Sequence, residues 1–129
     1  MILIIGGSYQ GKTVFAVSTF GLNEKEIAEG GDAWERLKNA KCIRHFEALV
    51  SAAVKENKDP LELTEKLLDA ATDVIIIMTE IGCGIIPIER SERIYRELVG
   101  KTGCLLAGRA EKVIRLVCGI PSVIKGESI

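Results

Sequence analysis

Lys12 and Thr13 close the run Gly6-Gly7-Ser8-Tyr9-Gln10-Gly11-Lys12-Thr13, which fits the spacing G-x-x-x-x-G-K-[ST] of a phosphate-binding loop. Such a run captures a polyphosphate. Glycines at 6, 7 and 11 allow backbone conformations closed to other residues and a near approach to the anion. The amide groups of the loop and of the following helix start point at the phosphate, with the positive end of the helix dipole behind them. A lysine placed like Lys12 reaches the terminal phosphates, and a hydroxyl placed like Thr13 ligates Mg²⁺. Residues Gly6 to Thr13 are therefore the candidate nucleotide-binding set, for ATP or GTP. Glu80 joins them from far along the chain, at the end of the apolar run Val74-Ile-Ile-Ile-Met78. A carboxylate at the end of an aliphatic strand holds Mg²⁺ or orients an attacking hydroxyl. Lys12 and Glu80 are the candidate catalytic residues, and Thr13 and Glu80 the candidate metal ligands. The plainer alternatives are a glycine turn joining a strand to a helix, and a strand-end acid facing solvent.

Those residues need a scaffold, and the apolar patterning predicts one. Ile2 to Ile5 and the run from Asp73 to Glu80 are uninterrupted enough to be strands buried on both faces of a parallel sheet. A helix is expected over 11–20, stopped by Gly21 in a left-handed cap. Residues 22–39 read as loop-rich, with 26–30 a short edge strand, Gly30-Gly31 a turn and Trp34 a packing residue. From Ala40 a helical period puts Ile43, Phe46, Leu49, Val50, Ala53 and Val54 on one face. Asp59 and Pro60 cap and start the next helix, which turns Leu63, Leu67 and Leu68 inward. A long helix is expected over 89–110 with Ile94, Tyr95, Leu98, Leu105 and Leu106 inward. Residues 113–118 form a strand, 119–121 a turn and 122–125 an edge strand. The apolar, glycine-bracketed stretch 81–87 is suited to covering a pocket. The lone His45 reads as a surface or boundary side chain on a helix, without an acidic partner. The sum is an α/β, P-loop NTPase-like three-layer sandwich with a mostly parallel central sheet, in one nucleotide-binding domain over 1–129.

Composition narrows the functions. A chain of 129 residues with 47% hydrophobic and 27% charged residues suits one folded core. A formal net charge of −1 gives no reason to expect a nucleic acid or an anionic membrane as partner. Neither a spanning run nor a signal peptide is legible, so a cytoplasmic location is expected. Cys42, Cys83, Cys104 and Cys118 fall in no metal-binding pattern and read as buried free thiols.

Thr79-Glu80-Ile-Gly82-Cys-Gly84-Ile-Ile-Pro87, followed by Arg90, Arg93, Tyr95-Arg96-Glu97 and Gly100, and closed by Val113 to Ile120 and Ile124-Lys125, resembles the adenosylcobinamide kinase / adenosylcobinamide-phosphate guanylyltransferase family. The loop from Ile4 to Thr13 agrees with that family's own. The resemblance covers roughly 1–20 and 73–126, with the middle suggestive only around Cys42 to Val50. It implies cobalamin assembly: phosphorylation of the aminopropanol hydroxyl of adenosylcobinamide by ATP or GTP, then transfer of GMP to that phosphate through a histidine. It also implies a corrinoid small molecule as substrate and a homotrimer. The segment that bears the family's histidine is missing after the first helix, which puts the implied function on the kinase half. Arg90 and Arg93 match family positions, as phosphate or trimer contacts or as plain surface. The competing readings are a nucleotide-binding or regulatory subunit without turnover, and a kinase for another alcohol.

Overall fold

The computed structural model describes residues 1–80 and 89–128. Its centre is the strand β1, Ile2–Gly6, paired in parallel with β4 (Ile75–Thr79) on one side and β5 (Lys112–Val117) on the other. Side chains alternate across a strand, so an all-aliphatic strand feeds two cores. Leu3, Ile76, Met78 and Val113 face one, and Ile4, Ile75, Ile77, Ile114 and Leu116 face the other. The helix α1, Lys12–Phe20, covers the second face through Phe15, Ala16 and Val17. The helices α3 (Glu47–Lys55), α4 (Pro60–Ala70) and α5 (Arg90–Arg109) cover the first. This is the expected three-layer α/β sandwich.

Two further strands extend the sheet, β2 (Ile27–Glu29) and β3 (Cys42–Arg44), and β6 (Ile120–Lys125) closes its other edge. The order is β2-β3-β4-β1-β5-β6, parallel throughout except for β6 against β5. The edge strand at 26–30 and the caps are as expected. Gly21 is left-handed at φ 65° and its N–H donates to the Val17 carbonyl at 3.0 Å. The Asp59 carboxylate accepts from the Leu61 N–H at 2.9 Å, with Pro60 in the first turn.

Several expectations are corrected. Residues 42–44 are strand, not helix, because Ile43 pairs with Ala28 and Ile76 in the sheet, which overrides its helical spacing from Phe46. The helix α2, Trp34–Asn39, stands where a loop was expected, anchored by buried Leu37. Val54 and Ile94 are exposed; on α5 Leu106 is buried and Tyr95, Leu98 and Leu105 pack against the core as expected, with Val99 and Thr102 buried besides. The β5–β6 turn is the two residues Cys118 and Gly119, both at positive φ, the twist that suits a tight hairpin. Of the cysteines, Cys42 is buried, whereas Cys104 and Cys118 are exposed. The loop 81–87, with Cys83, lies outside the described residues.

Candidate functional site

The glycine loop leaves β1 at its carboxyl end, where open α/β sheets bind ligands. Gly6 is required there: a Cβ would come within 2.7 Å of the Leu116 carbonyl oxygen on β5. The loop then turns through left-handed conformations at Tyr9 (φ 59°) and Gly11 (φ 82°) before α1 begins. The hairpin turn braces it from the side. The Gly119 N–H donates to the Gln10 carbonyl at 3.1 Å, and the Cys118 N–H to the Gln10 side-chain oxygen. Lys12, first residue of α1, is buried and curls back over the loop, its Nζ donating to the Gly7 carbonyl at 2.6 Å. Burial lowers the pKa of this ammonium, while the charges of Glu47 and then Glu80 act to raise it. Lys12 and Thr13 line a cleft of about 170 Å³ with Tyr9, Gln10, Gly11 and Ile77. Ser8 and Tyr9 are exposed at the loop tip.

Glu80 arrives beside this loop. Its backbone N–H donates to the Gly6 carbonyl at 2.8 Å, and its charge is felt at Lys12. Its carboxylate is held by Arg115 of β5, with Nε 3.1 Å from Oε1 and a terminal nitrogen 3.2 Å from Oε2. Thr13 and Glu80 offer oxygen donors of the kind Mg²⁺ takes. No cluster of three or more acidic, histidine or cysteine ligands occurs among the described residues. A Mg²⁺ ion there would thus complete its shell with water and phosphate. Arg90 and Arg93 are exposed on the first turns of α5.

Three residues of this region were not legible as site residues. Glu47 opens α3 and its Oε1 accepts from the Thr79 N–H at 3.1 Å, which fixes an acid near Lys12 across the end of β4. His45 is not on a helix: it sits between β3 and α3 at φ 53° and lines the same cleft as Lys12. It also has an acidic partner, with Nδ1 2.8 Å from Oε2 of Glu29 on β2. The crossing is enforced locally, since the Phe46 N–H donates to the Ile77 carbonyl at 3.1 Å and draws the chain over β4. The available signal was the short strand at 26–30, whose carboxyl end lies near that of any strand pairing with it in parallel, as β3 does.

A covered, mostly parallel sheet whose inner strand runs through a glycine loop into a helix defines a P-loop NTPase-like α/β sandwich. The chain belongs to the cobinamide kinase / cobinamide phosphate guanyltransferase family, whose family model matches residues 37–124. That match takes in residues 37–72, most of which carried no resemblance by motif, and starts after the glycine loop. The bifunctional adenosylcobalamin biosynthesis protein CobU of Salmonella typhimurium is 24% identical over 182 residues, covering 97% of this chain and 99% of the relative. An alignment of 182 positions exceeds the 129 residues of this chain, so the relative carries stretches that this chain lacks. The family is one of transferases in cobalamin biosynthesis. Among the described residues, no helix is long and apolar enough to cross a membrane.

Proposed function

We propose that the chain is a single nucleotide-binding domain that phosphorylates the hydroxyl of adenosylcobinamide, with ATP or GTP as donor. The observation that carries this reading is the burial of Lys12 against its own loop, with Nζ 2.6 Å from the Gly7 carbonyl, beside Thr13 and within reach of two acids. A buried ammonium beside a glycine loop at a helix start supports a phosphate as its partner. On nucleotide binding, Lys12 exchanges the Gly7 carbonyl for a terminal phosphate, and the amides of Gly7 to Thr13 share its charge. The substrate hydroxyl attacks the terminal phosphorus in line with the departing diphosphate. Thr13 and Glu80 are the residues that would hold Mg²⁺, which would neutralise phosphate charge when bound. In that state Glu80 gives up part of its pairing with Arg115.

Incubation with adenosylcobinamide and ATP or GTP labelled at the terminal phosphate tests the proposal, with phosphorylated corrinoid as the expected product. Transfer to other alcohols but not to the corrinoid overturns the substrate. A second reading has one observation in its favour: Glu80 is doubly bound by Arg115, as in a subunit that holds nucleotide without turning it over. Binding of nucleotide with no product supports that alternative. A homotrimer is part of the proposal, and the exposed Val117, Ile120 and Ile124 of the β5–β6 hairpin are apolar surface suited to a contact between copies. Light scattering on the purified protein measures the assembly directly.

A further inference from the structure

His45 has no part in the phosphate-holding groups, yet it forms a wall of their cleft. Its backbone sits in the left-handed region, which is costly for a residue with a side chain and persists only where the surroundings enforce it. Here they do. The Gly30 N–H binds the Arg44 carbonyl at 2.9 Å and the Phe46 N–H binds Ile77 at 3.1 Å, on either side of His45. The His45 carbonyl in turn accepts from the Ala48 N–H at 2.9 Å. The ring is oriented by a carboxylate. Its Nδ1 lies 2.8 Å from Glu29 Oε2, and the other oxygen of Glu29 accepts from Arg44 Nε. Burial alone would raise the Glu29 carboxyl, but the hydrogen bonds from His45 and Arg44 outweigh it and hold the group below the usual carboxylate range. An ionised carboxylate only accepts, so in the neutral imidazole the ring hydrogen resides on Nδ1 and Nε2 keeps its lone pair.

We propose that Nε2 of His45 is the proton acceptor for the substrate hydroxyl, with Glu29 as the positioning residue that fixes the tautomer. This inference rests on the kinase reading above. As the hydroxyl oxygen forms its bond to the terminal phosphorus, its proton passes to Nε2. The bond from that phosphorus to the bridging oxygen breaks, and the electron pair leaves with the nucleoside diphosphate. The imidazolium, paired with Glu29, later returns its proton to solvent. Half-exposed, His45 is open to a substrate entering from outside the loop. Among the described residues, the charged groups near it are Glu29 on β2, Arg44 on β3 with Glu24 behind it, and Lys12 across the cleft, where the charges of Glu47 on α3 and of Glu80 are felt.

The experiment is a pH profile of phosphoryl transfer for wild type, His45→Gln and Glu29→Gln, with nucleotide affinity measured in parallel. A proton acceptor is active only when neutral, so the wild-type rate falls toward acid. His45→Gln is expected to lower kcat about 10²-fold or more and to erase that acid limb. Nucleotide affinity stays within about twofold, because phosphate is held by other groups. Glu29→Gln, which releases the tautomer, lowers kcat with the acid limb displaced. A His45→Gln variant that keeps the wild-type rate and profile overturns this inference and leaves the kinase reading intact. So does acid-labile GMP found on His45, since Nε2 would then be a nucleophile. A wild type that binds nucleotide and phosphorylates no alcohol overturns both.

Discussion

The backbone N–H of Glu80 donates to the carbonyl of Gly6 at 2.8 Å, tying the acid that follows β4 to the first glycine of the loop that follows β1. Residues more than seventy positions apart in the chain thereby become next-door neighbours at one sheet edge. The carboxylate of Glu80 is free of that bond and pairs with Arg115 instead. Backbone position and side-chain charge are therefore separable by mutation.

Glu80→Gln retains the backbone bond and loses the charge. Phosphoryl transfer is expected to fall about 10²-fold or more, with little change in thermal midpoint. Arg115→Ala removes only the clamp. Its guanidinium is half exposed, so stability is expected to change by less than about 1 kcal/mol. Paired thermal melts and rate measurements on the two variants check this, and a large loss of stability in Arg115→Ala would show that the ion pair is structural.

Lys12 is a harsher case. Its ammonium is already desolvated, so that a bound phosphate gains a strong partner at little further cost in lost hydration. Lys12→Ala is expected to reduce transfer by roughly 10²–10³-fold. Cooperative unfolding should survive, because among the described residues the side chain bonds only the Gly7 carbonyl, within its own loop. Kinetics together with a denaturant melt separate a chemical loss from a folding one.

The parts of this site that were legible in the sequence are those whose cause is local. Four aliphatic residues before a glycine loop describe β1, and the aliphatic run before Glu80 describes β4, since full burial on two faces leaves an unbroken apolar signature. The right-handed crossover rule then brings both carboxyl ends to one edge. The region of Ile43 reads as helix for an equally physical reason. A three-residue strand has too few side chains to display a period of two, and Ile43, Phe46 and Leu49 happen to recur at helical spacing. Once that strand is missed, Glu29 and Arg44 cannot be recognised as cross-strand partners, nor His45 as a neighbour of Lys12. The pairing of Glu29 with His45 depends on sheet order, which no local pattern encodes.

Cys42 tests the placement of β3 directly. Burial pushes its thiol up to about 12, chiefly by desolvation. A raised thiol pKa means less of the reactive thiolate at a given pH, and burial also keeps reagents from the sulfur. Brief alkylation of the native protein at about pH 8, mapped by mass spectrometry, should label the exposed Cys104 and Cys118 and spare Cys42. Unfolding in guanidinium should then expose it. Early labelling of Cys42 in the native state would be incompatible with a buried strand at Cys42–Arg44.

Gly30 joins the stability of the fold to the shape of the cleft. A Cβ at this position would meet the carbonyl of His45 well inside contact distance and come within 3.1 Å of the Leu49 nitrogen. Both obstacles are backbone, so neither can rotate away as a side chain would. The chain after β3 has to shift, and with it the left-handed His45 and the start of α3 that carries Glu47. Gly30→Ala is expected to destabilise the protein by about 1–3 kcal/mol in denaturant melts, the range for forced overpacking. Its effect on transfer should exceed its effect on nucleotide affinity, because the glycine loop lies on the other side of β4 and keeps its own bonds. Gly31→Ala is the control: its Cβ would approach only the Ala48 side chain, at 4.0 Å, and should leave both properties close to wild type. If the two variants behave alike, the close packing of Gly30 against His45 is not what holds the histidine in place.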